Sequence, residues 1–129
     1  MPARPAHKPS SAAADSMAAQ QRVHPELERY APVLDRLLES TQCPIVLVDN
    51  ASGDDSVAAA TRTARRSGGR VTVIPLDRNE GAVARNIGVA RCDTPYVAFC
   101  DDDSWWAPGA TALAEEIFER YPTVALLAA

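Results

Sequence analysis

Hydrophobic residues follow two kinds of spacing from Pro25 onward, and the two kinds alternate along the chain. In some segments apolar residues recur every three or four positions, which is typical of amphipathic helices. Between them lie short apolar runs rich in β-branched residues, typical of buried parallel strands. Helices are predicted from Pro25, with Pro32 as an irregularity, over 54–66 and 81–90, and from Pro108; strands are predicted over 45–48, 71–76, 96–100 and 123–127.

The alternation of helices and strands predicts an α/β fold, a three-layer α/β/α sandwich with a mainly parallel, Rossmann-like sheet. Ligands of such sheets bind beyond the carboxyl ends of the strands. Asp49 and Asp101 each follow a predicted strand directly. Both carboxylates are therefore expected at the ligand-binding edge of the sheet.

Composition limits the folded part to one small domain. The chain has 129 residues, of which 47% are hydrophobic and 23% are charged, as in ordinary globular domains. Residues 1–24 are rich in Ala, Pro and Ser and hold almost no large apolar residue, so a disordered tail is predicted there. The folded domain is predicted over residues 25–129.

Net charge, the longest apolar stretch and the cysteines argue against nucleic acid as a partner, a membrane-spanning segment and a disulfide or zinc framework, respectively. A formal net charge of -4 gives no basic footprint for nucleic acid. The longest apolar stretch, Val124 to Ala129, is far shorter than the roughly 20 residues that span a bilayer. Cys43, Cys92 and Cys100 show no disulfide or zinc spacing, so we expect reduced core thiols and a cytoplasmic location.

Three consecutive carboxylates, Asp101, Asp102 and Asp103, follow an apolar run and repel one another. A divalent metal would relieve the repulsion. Asp101 and Asp103 flank the central residue and can point to one side, where two oxygen donors suit Mg²⁺ or Mn²⁺. The alternative is a solvated acidic loop that caps the next helix through Asp103 or Ser104.

Three other sets of residues are candidates for chemistry, each with a structural alternative. The loop 49–54 offers groups for a nucleobase or ribose, but its residues are also ordinary turn formers. Arg85 suits a pyrophosphate or a base, although a surface salt bridge is equally consistent with its position. Trp105 and Trp106 suit a sugar or acceptor face, with core packing expected for at least one of them.

The blocks 45–54, 79–88 and 96–103, in this order, resemble the family 2 glycosyltransferases of the GT-A fold. The resemblance covers residues 25–129. It implies transfer of a sugar from a UDP-, GDP- or dTDP-linked donor to the hydroxyl of an unknown acceptor, with Mn²⁺ or Mg²⁺. It further implies that Asp49, beside Asn50, contacts the nucleobase, that Arg85 adds a nucleotide contact, and that Asp101, Asp102 and Asp103 form the donor and metal motif, with Asp103 and Asp101 near the metal.

Two departures from that family lead us to expect an incomplete domain. The family has an apolar strand ahead of its first helix, whereas this chain has the Ala/Pro/Ser-rich segment there. The family's general base lies in an acceptor-binding half beyond the matched blocks, so no catalytic residue is assigned. A missing strand leaves exposed sheet edges, from which self-association is expected.

The same residues suggest alternatives to glycosyl transfer. A truncated, inactive paralogue that retains partial nucleotide binding is the main alternative. A haloacid-dehalogenase-like phosphohydrolase would use Asp101 as nucleophile and Asp103 as acid, but few residues follow to supply its later motifs. A phospho-receiver domain needs a lysine after its aspartate, and Lys8 is the only lysine.

Overall fold

The computed structural model describes the backbone of residues 27–128 and the side chains of residues 31–128. The predicted tail lies outside the described residues. The four predicted helices and the first two predicted strands are confirmed, with bounds that differ by a few residues. The elements in chain order are α1 (Leu27–Ser40), β1 (Ile45–Asp49), α2 (Ser56–Arg66), β2 (Val71–Pro75), a 3₁₀ turn (Gly81–Val83), α3 (Ala84–Val89) and α4 (Ala110–Arg120).

The sheet of the described region consists of β1 and β2, which pair in parallel. Ile45 lies opposite Val71, and Asp49 lies opposite Pro75. Because both strands run the same way, their carboxyl ends meet at one edge of the sheet. That edge carries Asp49.

Side chains on alternate positions of the strands face opposite helices, as a pleated sheet requires. Leu47 and Val73 pack on the cluster formed by Leu34 of α1 and its buried neighbours. On the opposite face, Val48 lies so close to α3 that a Cβ added at Gly88 would be 3.2 Å from its Cγ2 atom. Helices therefore cover both faces, and the predicted layered α/β class is confirmed.

Arg70, just before β2, ties the end of α1 to the sheet. Its guanidinium donates to the carbonyl of Leu38 at 3.1 Å and to the carbonyl of Thr41. Its own carbonyl accepts the N–H of Ile45 at 2.8 Å. A cation that satisfies the last carbonyls of a helix stabilises the helix end, so Arg70 joins α1, β1 and β2.

Two predicted strands, 96–100 and 123–127, are wrong: neither segment forms a strand in the described region. A strand is stabilised by a neighbour that shares its main-chain hydrogen bonds. Neither segment hydrogen-bonds to β1 or β2. Residues 96–100 instead contact α4, where the ring of Tyr96 stacks on that of Phe118 with centroids 4.7 Å apart.

Burial is confined to the first part of the described chain. The buried apolar residues lie between Leu34 and Ala84, and none of the described residues after Ala84 is buried. None of the described helices is long and apolar enough to cross a membrane. The core therefore supports α1, β1, α2 and β2, while α4 and the segments around it pack loosely.

The cysteines do not occupy the core, so that expectation is wrong. All three are free thiols: Cys43 and Cys100 are exposed and Cys92 is half-buried. Cys43 lies in the connection before β1, and Cys100 lies at the end of residues 96–100, which form no strand in the described region. Neither position gives the thiol an apolar environment.

Two leucine substitutions test whether the core is confined to the first part of the described chain. Leu34 is 2% exposed and Leu113 of α4 is 57% exposed. Leu34→Ala leaves a cavity and should lower the free energy of unfolding by about 2–5 kcal/mol, as buried leucines do. Leu113→Ala should change it by less than about 0.5 kcal/mol. Urea unfolding measures both, and equal losses would contradict the described burial.

Candidate functional site

Asp49 ends β1 with its carboxylate buried, and the residue is 2% exposed. Its Oδ2 atom accepts the N–H of Ser52 at 3.0 Å, which closes a tight turn. Its Oδ1 atom is buried and has no hydrogen-bond partner among the described residues. A buried acceptor without a donor costs free energy, so this oxygen is suited to accept a hydrogen bond from a ligand.

The turn after β1 is strained at Ala51, which has a φ of 62°. The left-handed region disfavours residues with a Cβ by roughly 1–2 kcal/mol. Ala51 nevertheless adopts it, because the bond from Ser52 to Asp49 closes the turn around it. Such strain persists where neighbouring contacts fix the backbone, and it is frequent at binding sites.

Asn50 joins this turn to the loop that follows β2. Its Nδ2 group donates to Asn79 Oδ1 at 3.0 Å and to the carbonyl of Gly81 at 3.2 Å. Its Oδ1 atom accepts the N–H of Glu80 at 2.7 Å. The amide predicted to contact a nucleotide is thus bonded on both its ends within the protein, and it fixes the second loop against the first.

The second loop leads directly into α3, which carries Arg85. Asn79 Oδ1 accepts the N–H of Gly81 at 2.8 Å, and Gly81 itself has a φ of 58° that suits glycine. The Arg85 guanidinium donates to Asp101 Oδ1 at 2.9 Å, and both side chains are exposed. The predicted nucleotide-contacting arginine and the acidic run are therefore adjacent, and an exposed pair of this kind adds little stability.

The acidic run forms a tight turn closed by Ser104. The N–H of Asp101 donates to Ser104 Oγ at 3.1 Å, and the N–H of Ser104 donates to the carbonyl of Asp101 at 3.3 Å. Asp103 is exposed, whereas Asp102 is half-buried and has an interaction within the chain. The described residues contain no group of three or more His, Cys, Asp or Glu side chains that could hold a metal.

Two carboxylates in an exposed turn fit a metal that takes its other ligands from outside the protein. Asp101 and Asp103 offer the hard oxygens that Mg²⁺ and Mn²⁺ prefer. Mg²⁺ commonly keeps several waters and binds through one or two carboxylates together with substrate phosphates. The donor set therefore suits a metal that arrives with a phosphate-bearing ligand.

Trp105 follows the acidic turn and is held by α1. The guanidinium carbon of Arg36 lies 4.1 Å from the centroid of the Trp105 ring, within the range of a cation–π contact. Trp105 is exposed and Trp106 is half-buried. Neither tryptophan is buried, so the expected core packing is wrong, and Trp105 instead connects the acidic turn to α1.

Sequence reasoning missed the residues that connect the predicted ones. The sequence pattern predicts no role for the side chains of Asn79 and Arg36. The contacts of Asn50 span 29 and 31 residues, so no local pattern indicates them. The contacts run from Asn50 at the end of β1 through the second loop into α3, where Arg85 reaches the acidic turn.

Replacing Asn50 tests this connection. Asn50→Ala removes three hydrogen bonds and leaves the Glu80 N–H without its acceptor, so unfolding free energy should fall by about 1–3 kcal/mol. Amide exchange at Glu80 and Gly81 should quicken as well. Asn86→Ala, at an exposed asparagine of α3, should leave exchange at these amides unchanged. Unchanged exchange in Asn50→Ala would show that the two loops are held by other contacts.

Comparisons with known proteins show the family of the chain. The model of Glycosyl transferase family 2 matches residues 23–128. The succinoglycan biosynthesis protein ExoU of Rhizobium meliloti (strain 1021) is 35% identical over 78 residues, which cover 60% of this chain and 22% of that protein. The chain thus spans 22% of the length of this curated relative. No solved structure matches the chain. A family match over nearly all of the described residues means that the chain belongs to the family 2 glycosyltransferases.

Proposed function

We propose that this chain binds the nucleotide-diphosphate sugar donor of a glycosyl transfer at the carboxyl edge of β1, through the partial GT-A domain of residues 25–129. The observation that carries the proposal is the series of contacts from Asn50, beside the buried carboxylate of Asp49, to Arg85 and Asp101. In support of the proposal, these contacts link the residue next to a buried acceptor with an arginine and an acidic turn. These are the groups that a base and a diphosphate require.

The roles we propose follow from the surroundings of each side chain. Asp49 accepts an N–H of the nucleobase through its Oδ1 atom, since that oxygen is buried and has no partner among the described residues. Arg85 pairs with a phosphate, because its guanidinium is exposed and its described partner is the exposed carboxylate of Asp101. Asn50 supports both by holding the loop between them.

The acidic turn is proposed to take the metal. Asp103 and Asp101 would hold Mn²⁺ or Mg²⁺, with Asp102 as a contact on the donor side. The metal, when bound, stabilises the charge that develops on the leaving nucleoside diphosphate. Because Asp101 also bonds Arg85, the arginine offsets part of the negative charge of the turn in the free chain. Donor and metal binding would therefore be coupled at this one carboxylate.

The acceptor is proposed to be a saccharide hydroxyl, by analogy with the relative's part in succinoglycan biosynthesis. An inverting transfer needs a general base to deprotonate that hydroxyl. We assign none of the described residues to this role. A chain that binds the donor without turning it over is thus the second candidate, favoured by the absence of any buried residue among the described residues after Ala84.

Calorimetric titration with UDP-, GDP- and dTDP-glucose, with and without MnCl₂, tests the proposal. Wild type should bind one of these donors more tightly with metal. Asp103→Ala should weaken metal-dependent binding by about tenfold or more, equivalent to about 1.4 kcal/mol. Asp49→Asn should weaken binding with and without metal, because it changes the buried acceptor.

Asp93→Ala is the matched control, since Asp93 is an exposed aspartate away from the acidic turn. It should leave the dissociation constant within about twofold of wild type. Folded wild type that binds no donor would contradict the proposal, as would equal losses in Asp103→Ala and Asp93→Ala. Donor binding without sugar release to any acceptor would favour the second candidate.

A further inference from the structure

The long edge of β1 that faces away from β2 has no strand beside it in the described region. This β1 edge runs along the strand and is distinct from the carboxyl edge, where the strands end. Ile45 and Asp49 bond toward β2, through the Ile45 N–H to Arg70 and the Asp49 carbonyl to Leu76. Main-chain groups of a parallel strand alternate between its two edges, so those of Val46 and Val48 point away from β2. The described sheet has two strands, and the donors and acceptors of this edge have no strand partner among the described residues.

The same chain carries an apolar segment that has no strand partner. Residues 96–100, Tyr-Val-Ala-Phe-Cys, are all exposed, and Phe99 is 55% exposed. The segment is uncharged, lacks Gly and Pro, and is rich in the β-branched and aromatic residues that favour strands. The stacking of Tyr96 on Phe118 holds one end of it against α4. It is a strand-forming sequence that lacks a neighbour.

An open strand edge and an unpaired strand-forming segment on one molecule are complementary between two molecules. We propose that two copies of the chain associate reciprocally, each placing its residues 96–100 along the β1 edge of the other. Because each copy uses its edge and its segment on the same partner, the exchange closes as a two-fold dimer. The main-chain groups of Val46 and Val48 gain partners, and Phe99 leaves water.

Sedimentation velocity of the full chain between about 1 and 200 μM, a range that covers micromolar association, tests this proposal. Wild type should pass from monomer to dimer. Phe99→Asp should raise the dimer dissociation constant by about tenfold or more. Leu113→Asp is the matched control, because Leu113 is 57% exposed and lies on α4, and it should leave the constant unchanged.

Val46→Pro tests the edge itself, since it removes an N–H that points away from β2 and leaves the ladder to β2 in place. It should weaken dimerisation with retained circular dichroism. Amide exchange at Val46 and Val48 should slow as wild-type concentration rises. If the Val46→Pro variant does not fold, the dimer dissociation constant of Phe99→Asp and the concentration dependence of amide exchange at Val46 and Val48 test the proposal.

Several outcomes would overturn the proposal. A wild type that is monomeric at the highest concentration would do so, as would equal weakening by Phe99→Asp and Leu113→Asp. Aggregates larger than a dimer that neither substitution changes would mean non-specific association of apolar surface. Slow exchange at Val46 and Val48 that does not depend on concentration would mean that the chain covers its own edge.

Discussion

The parallel pairing of β1 with β2 is the interaction on which the rest of the structure depends. Its register sets which strand residues face the cluster around Leu34 and which face α3. It also brings the two loops that follow the strands to one edge, with Asp49 at that edge. A slip of one residue would turn the apolar positions to the opposite face and move Asp49 out of its turn.

The site depends on this pairing through few contacts. Asn50 bonds across from the first loop to the second, and the second loop runs into the helix that carries Arg85. Arg85 then reaches Asp101, and Arg36 reaches Trp105. None of the described residues of the acidic turn is buried, and the turn is contacted by side chains that start from the better-packed part of the chain. Binding of a charged ligand would therefore act on a weakly held turn.

The sequence predicted the helices and strands of residues 27–90 well because their signals are local. Apolar spacing defines α1 and α2, and β-branched runs define β1 and β2. The prediction failed at 96–100 and 123–127 because strand formation needs a partner edge, which a local pattern does not reveal. The expected burial of the cysteines was wrong for the same reason, since the burial of a thiol depends on which residues pack against it.

The same distinction between local signals and long-range contacts applies to the site residues. The types of group at Asp49, Arg85 and Asp101 indicated chemistry, and the fold brings Arg85 and Asp101 into contact. The supporting role of Asn50 and the links made by Arg36 and Arg70 depend on long-range contacts, so sequence alone did not reveal them. Residue type thus indicated the chemistry, whereas the supporting contacts are visible only in the folded structure.

The central claim is that the donor binds at the carboxyl edge of β1. The most direct measurement is amide chemical-shift mapping of the ¹⁵N-labelled chain as a UDP-, GDP- or dTDP-sugar and Mg²⁺ are added. The account predicts saturable shifts at residues 49–53, 79–85 and 101–104, with none around Arg70 at the opposite edge. Shifts centred on Arg70, or spread evenly over the chain, would contradict it.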